Sequence, residues 1–140
     1  MEHDEITLRI TAAVRAGLHG RDELHDATDQ LTEALAQAEQ AITHMGLGVS
    51  ASVPSPDGNW SISFTRVSKH WKIVVTTQET STPVVNTSRE TRCMAAGLLP
   101  DLVEKLAEEV RVNTQVVTRA LERTQEIVKV LRGLIPQDAP

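Results

Sequence analysis

Five side chains between positions 22 and 33 have the types and spacing to hold a divalent cation. Asp22, His25, Asp26, Asp29 and Glu33 fall at helical offsets on one side of a segment rich in helix formers. Carboxylates with an imidazole form ligand sets for hard and borderline metals. Asp22, His25 and Asp29 from two subunits would then suit a small metal-dependent enzyme. The plainer account is a solvated acidic face. No second cluster completes a ligand set, and neither HExxH nor CxxC occurs. The expectation is no metal, no cofactor and no catalytic residue.

Other reactive groups fare similarly. Cys93, the single cysteine, would need a lowered pKa and a nearby base to act as a nucleophile. It sits among Met94, Ala95 and Ala96, so a buried structural thiol is expected. Gly46-Leu47-Gly48 follows a helical pattern and opens a strand, the reverse of a phosphate-binding loop. No GxSxG elbow places a serine nucleophile.

Arg66, Lys69, His70 and Lys72 gather around a short turn beside Trp71. Cations with an aromatic can hold single-stranded nucleic acid by charge and stacking. Trp71 shares the inward phase of Ile73 and Val75, which assigns its ring to the core. The cations fit a nucleic-acid strand or an acidic protein surface. The net charge of −5 weakens a broad nucleic-acid role. That charge is uneven: residues 1–59 carry three arginines against ten acids, 60–92 five cations against two, and 93–140 six against seven.

The elements that must position these groups follow from period and punctuation. A 140-residue chain with one cysteine, no membrane-length apolar run and an acidic N-terminus unlike a signal peptide reads as one cytoplasmic domain, bacterial or of a virus-infected cell. Residues 4–45 read as a helical arm. Ile6, Ile10, Val14 and Leu18 lead into Gly17 and Gly20, and a second stripe runs from Leu24 through Leu31, Leu35 and Ile42. Each glycine costs ~1 kcal/mol in a helix interior, so a bend or break is expected near 17–21, one unbroken helix being the alternative. Residues 47–78 switch to alternation, giving a three-stranded antiparallel meander with an apolar face and a Ser/Thr face. Thr87 and Glu90 have capping-box spacing, and a short helix is expected over 88–98. Pro100 interrupts it and opens a long helix over 100–132 that Gly133 stops. The fold expected is α+β over residues 1–136, both later helices packed on one sheet face, with a disordered tail at 137–140.

The long helix carries the most informative pattern. Leu99, Val103, Leu106, Val110, Asn113, Val117, Ala120, Thr124, Ile127 and Leu131 alternate spacings of four and three. That repeat keeps one face against a neighbouring helix. Residues 100–132 span ~50 Å as helix, whereas a seven-residue strand reaches only ~23 Å. The sheet covers half of the stripe at best. The distal part, at Asn113, Val117, Ala120, Thr124, Ile127 and Leu131, is therefore the expected partner-binding face. Asn113 is the candidate register device, since a polar seam residue penalises wrong pairings. The expected partners are a second copy of the chain and another protein, with nucleic acid less favoured and no membrane.

The order long helix, three-stranded meander, long helix over 22–132 resembles the layout of YbaB/EbfC-type nucleoid-associated dimers. It partly resembles small acidic type III secretion chaperones, whose additional strands have no counterpart here. Layout alone transfers no function. The composite expectation is a non-enzymatic adaptor, chaperone or inhibitor acting as a helix-mediated homo-oligomer.

Overall fold

Strict alternation in the middle of the chain produces a sheet with one apolar and one hydroxyl face. In the computed structural model, which describes residues 2–136, helix α1 (Glu2–His44) leads into strands β1 (Ala51–Pro54), β2 (Ser61–Val67), β3 (His70–Thr76) and β4 (Ser81–Pro83). A 3-10 turn (Val84–Asn86) and helix α2 (Arg89–Leu134) follow. The strands form an antiparallel meander in the order β1-β2-β3-β4. Ala51 stands opposite Phe64, and Phe64 opposite Ile73, so the apolar residues share one face. Phe64 and Trp71 stack there, ring centroids 5.3 Å apart. On the other face hydroxyls pair across strands: Ser63 donates to Ser52 at 2.9 Å, and Thr76 lies 3.1 Å from Ser81.

The fourth strand was absent from the sequence expectation. At three residues, ending in proline, it is too short to show alternation. Pro83 pairs with Val74 at the sheet's edge, where a missing N–H is tolerated. Past the end of β4, the Ile73 N–H donates to Glu39 Oε1 of α1 at 2.7 Å. One carboxylate thus satisfies a sheet-edge donor and ties α1 to β3.

Both helices lie on the apolar face. The core joins Leu35 and Ile42 of α1 to Ala95, Leu102 and Leu106 of α2, over Ile62, Phe64 and Ile73 of the sheet. Arg92 donates to Thr32 near one end of this layer. Ile42 and Met45 share an apolar groove with Val103, Leu106 and Val110 near the other. The helices therefore cross the core in the same direction. α1 overhangs one end by its N-terminal part, and α2 overhangs the opposite end by its C-terminal part.

Four expectations need correction. α1 runs unbroken through Gly17 and Gly20. α2 runs unbroken through Pro100 and continues past Gly133 to Leu134, so the separate helices 88–98 and 100–132 are one. Proline inside a helix costs ~3 kcal/mol, but a fully buried leucine returns ~1.5–3 kcal/mol. Ala95, Leu102 and Leu106 anchor both sides of Pro100, and their burial outweighs the lost bond. The N-cap is Ser88, whose Oγ accepts from the Thr91 N–H at 3.2 Å, and Thr87 instead donates to the Val84 carbonyl. Cys93 is exposed. In one continuous helix the buried phase is set by Ala95, Leu102 and Leu106, and Cys93 falls outside it. The tail at 137–140 lies outside the described residues.

The α1 stop is as read: Gly46 adopts φ 62°, the left-handed conformation that glycine reaches without a Cβ clash. Pro100→Ala restores one helical hydrogen bond in a helix already held by its neighbours. It is expected to raise stability by about 1–2 kcal/mol, seen as a higher denaturant midpoint at unchanged slope.

Candidate interaction surface

Heptad-like spacing along α2 fixes which side chains share a face, and the sheet decides how far that face is covered. On the stripe Leu106 is 1% exposed, although Val103 beside it is already 44% exposed. Further along the same stripe, Val117, Ile127 and Leu131 are 65%, 59% and 53% exposed. Every residue from 111 to 134 is exposed. The change falls where α2 passes the 47–49 loop: Leu47, Gly48 and Val49 line a shallow groove with Val110, Asn113 and Val117. From residue 111 on, 24 residues, ~36 Å of helix at 1.5 Å per residue, project past the sheet with only this loop beside their first two turns.

The face is apolar and wide. Val116, Leu121 and Val128 flank the expected seam and are themselves exposed. The opposite side carries the charges, beginning at the root of the overhang, where Arg111 Nη2 lies 2.6 Å from Glu108 Oε1. The Arg111 hydrogen bond, aided by its charge, holds the Glu108 carboxyl below its ordinary value, and Arg111 is raised in return.

The two polar seam residues are partly occupied within the helix. Asn113 Nδ2 donates to the Glu109 carbonyl at 2.7 Å, and Thr124 Oγ1 to the Ala120 carbonyl at 2.7 Å. The Asn113 amide also has an acceptor oxygen and a second N–H, which is what a register device on a second helix would use.

The remaining sequence candidates separate in space. Asp22, His25, Asp26, Asp29 and Glu33 lie exposed along α1. No group of three or more His, Cys, Asp or Glu that could hold a metal is found among the described residues. At the β2–β3 turn, Arg66, Lys69 and His70 are exposed, and Lys72 is half-buried in a groove with Glu39, His44 and Trp71. Ser68 and Lys69 form this turn with φ 50° and 76°, a conformation that costs a non-glycine residue ~1–2 kcal/mol. One side of Trp71 is taken by Phe64, as its inward phase implied.

The sequence predicts a helix for the N-terminal overhang but not an exposed face. Ile6, Ile10, Val14 and Leu24 are all about half exposed there. Their spacing was visible; what was missing was the absence of any sheet beneath them. Among the described residues no helix is long and apolar enough to cross a membrane.

The α2 overhang is a poor helix on propensity alone. Nine of its 24 residues are Val, Ile or Thr, which lose side-chain freedom in a helix. Packing must supply the difference. Hydrogen exchange over 111–134 is therefore expected to speed up on dilution while 95–106 stays protected; concentration-independent protection of 111–134 would contradict that. No family model, curated protein or solved structure matches this chain.

Proposed function

We propose that this protein is a non-enzymatic protein-binding module, of the adaptor, chaperone or inhibitor kind, working as a homo-oligomer joined through its helices. The observation that carries the reading is the α2 stripe, buried at Leu106 and open at Val117, Ile127 and Leu131. An apolar face of this length outside the core is the usual mark of an interaction site. A second copy is the simplest partner, because most soluble oligomers are symmetric assemblies of one chain. The exposed acidic residues of α1, set at helical offsets, suit a solvated face better than a ligand set, which supports binding over catalysis.

The test is the mass in solution by light scattering. The wild type is expected to assemble at micromolar concentration, and Val117→Asp with Ile127→Asp to leave a folded monomer. A monomeric wild type would remove the oligomer part of the reading.

A second reading uses the β2–β3 turn. Holding Lys69 at φ 76° costs energy that glycine would avoid, and the result is a cation at an exposed tip with Arg66 and His70 beside it. A nucleic-acid contact there predicts a salt-dependent gel shift abolished by Lys69→Glu with Lys72→Glu. No shift at low salt eliminates it.

A further inference from the structure

The α2 overhang has a counterpart in the same molecule that cannot reach it. Along α1, Leu35 is 1% exposed over the sheet, but Ile10 on the same face is 57% exposed. From residue 4 to 27 every position of α1 except Gly20 is exposed, a stretch of 24 residues, as long as the 24 exposed residues of α2. Because the helices cross the core in the same direction, these arms leave from opposite ends. Neither can fold onto the other within one chain while both helices stay straight.

Three features make the arms complementary. First, their seams share a spacing. Ile6, Ile10, Ala13, Gly17, Gly20 and Leu24 are separated by 4, 3, 4, 3 and 4 residues, as are Asn113, Val117, Ala120, Thr124, Ile127 and Leu131. Parallel helices with such seams interdigitate layer by layer. In that register Gly17 meets Thr124, Gly20 meets Ile127 and Leu24 meets Leu131.

Second, the glycines have no explanation within the chain. A Cβ added at Gly17 or Gly20 would meet nothing within 4 Å, and neither glycine has a positive φ. Each costs the helix ~1 kcal/mol relative to alanine. Closely apposed Thr124 and Ile127 from another helix would account for both.

Third, the charges oppose. Residues 4–27 hold five acids against three arginines, whereas 111–134 hold five cations against two acids. Pairing either arm with its own copy brings like net charge together; pairing one with the other brings opposite charge together. Hydrophobic seams set the contact, and charge selects which arms meet.

We infer that the occupant of the apolar face of α2 at 111–134 is the N-terminal arm of α1, residues 4–27, from a second copy of this chain. This inference rests on the proposed self-association and specifies its interface. A copy displaced along the helix axes and turned to face the first lays its α1 arm along the α2 arm in the same direction. The contact is head-to-tail, so each copy retains one free arm and the pair retains one of each kind. Such an interface propagates into a ring or an open filament rather than stopping at two.

Complementation of two variants tests it. One carries Ile10→Asp with Leu24→Asp, the other Val117→Asp with Ile127→Asp. All four sites are exposed in the single chain, and an unchanged Trp fluorescence melt verifies the core around Trp60 and Trp71. Each variant alone is expected to be monomeric by light scattering. Their equimolar mixture should form a species of twice the 15.3 kDa chain mass and grow no further, because it holds one intact arm of each kind. Added salt at molar concentration should weaken that species. If the α1-arm variant still assembles alone, the α2 face has another occupant and the inference falls while self-association stands. A mixture that stays monomeric when the wild type assembles has the same consequence. A wild type that is itself monomeric overturns both.

Discussion

A helix face that is largely apolar for about nine turns must be covered for as long, and a four-stranded sheet cannot do it. A seven-residue strand reaches ~23 Å, whereas 46 residues of α2 extend ~69 Å. The rest of the structure is arranged around that mismatch. The core forms where both helices and the sheet overlap, between Leu31 and Ile42 on α1 and between Ala95 and Leu106 on α2. Outside the overlap the sequence keeps writing the same stripe although its own chain offers nothing to bury it against. Leu106 and Leu131 differ in exposure because of where the sheet ends, not because of their type.

That constraint also explains how the helices survive their breakers. Pro100 stands within the overlap, flanked by Ala95, Leu102 and Leu106, and packing there is worth more than one hydrogen bond. Gly17 and Gly20 stand outside it, with no neighbours to compensate. The two kinds of breaker thus carry opposite messages. A proline tolerated in the core says the core is strong. Glycines tolerated in an unsupported arm fit the proposal that a second copy supports it.

Periodicity made most of this legible. The three longer strands, the inward phase of Trp71, the Gly46 stop and the distal exposed face all follow from alternation, spacing and length. What stayed hidden depended on tertiary balance. Whether Pro100 ends or rides within a helix is decided by residues on both sides of it packing against β1 and β2, which no local window contains. A helix ending at Leu98 leaves its rotation free and allows Cys93 inside; a helix continuous to Leu134 fixes the phase on Ala95 and Leu102 and turns the thiol outward. β4 escaped because three residues with a proline carry no period. The N-cap was displaced by one residue because Thr87 was already committed to the Val84 carbonyl. At the candidate surface, the residues of α2 were readable and their match to α1 was not, since it appears only once both arms are seen to project from opposite ends.

The other surfaces are consistent with the association proposed for those arms. Open sheet edges invite strand pairing, and here both edge strands are short and proline-bearing: β1 has four residues ending at Pro54, and β4 three ending at Pro83. The outer sheet face is lined with hydroxyls that bond one another across strands, as Ser63 does to Ser52 and Ser50 to Thr65. Val67, Val74 and Pro83 share that face with the hydroxyls. The β1–β2 turn is likewise closed on itself: Asp57 accepts from Ser55 Oγ at 2.6 Å and from the Asn59 N–H at 2.9 Å, which holds its carboxyl below the ordinary value. With edges and turn internally satisfied, most of the exposed large apolar side chains among the described residues lie on the helices. A head-to-tail helical joint covers such side chains at both ends of the molecule, whereas pairing the α2 arms alone would leave the α1 arms, with their two unexplained glycines, still in water.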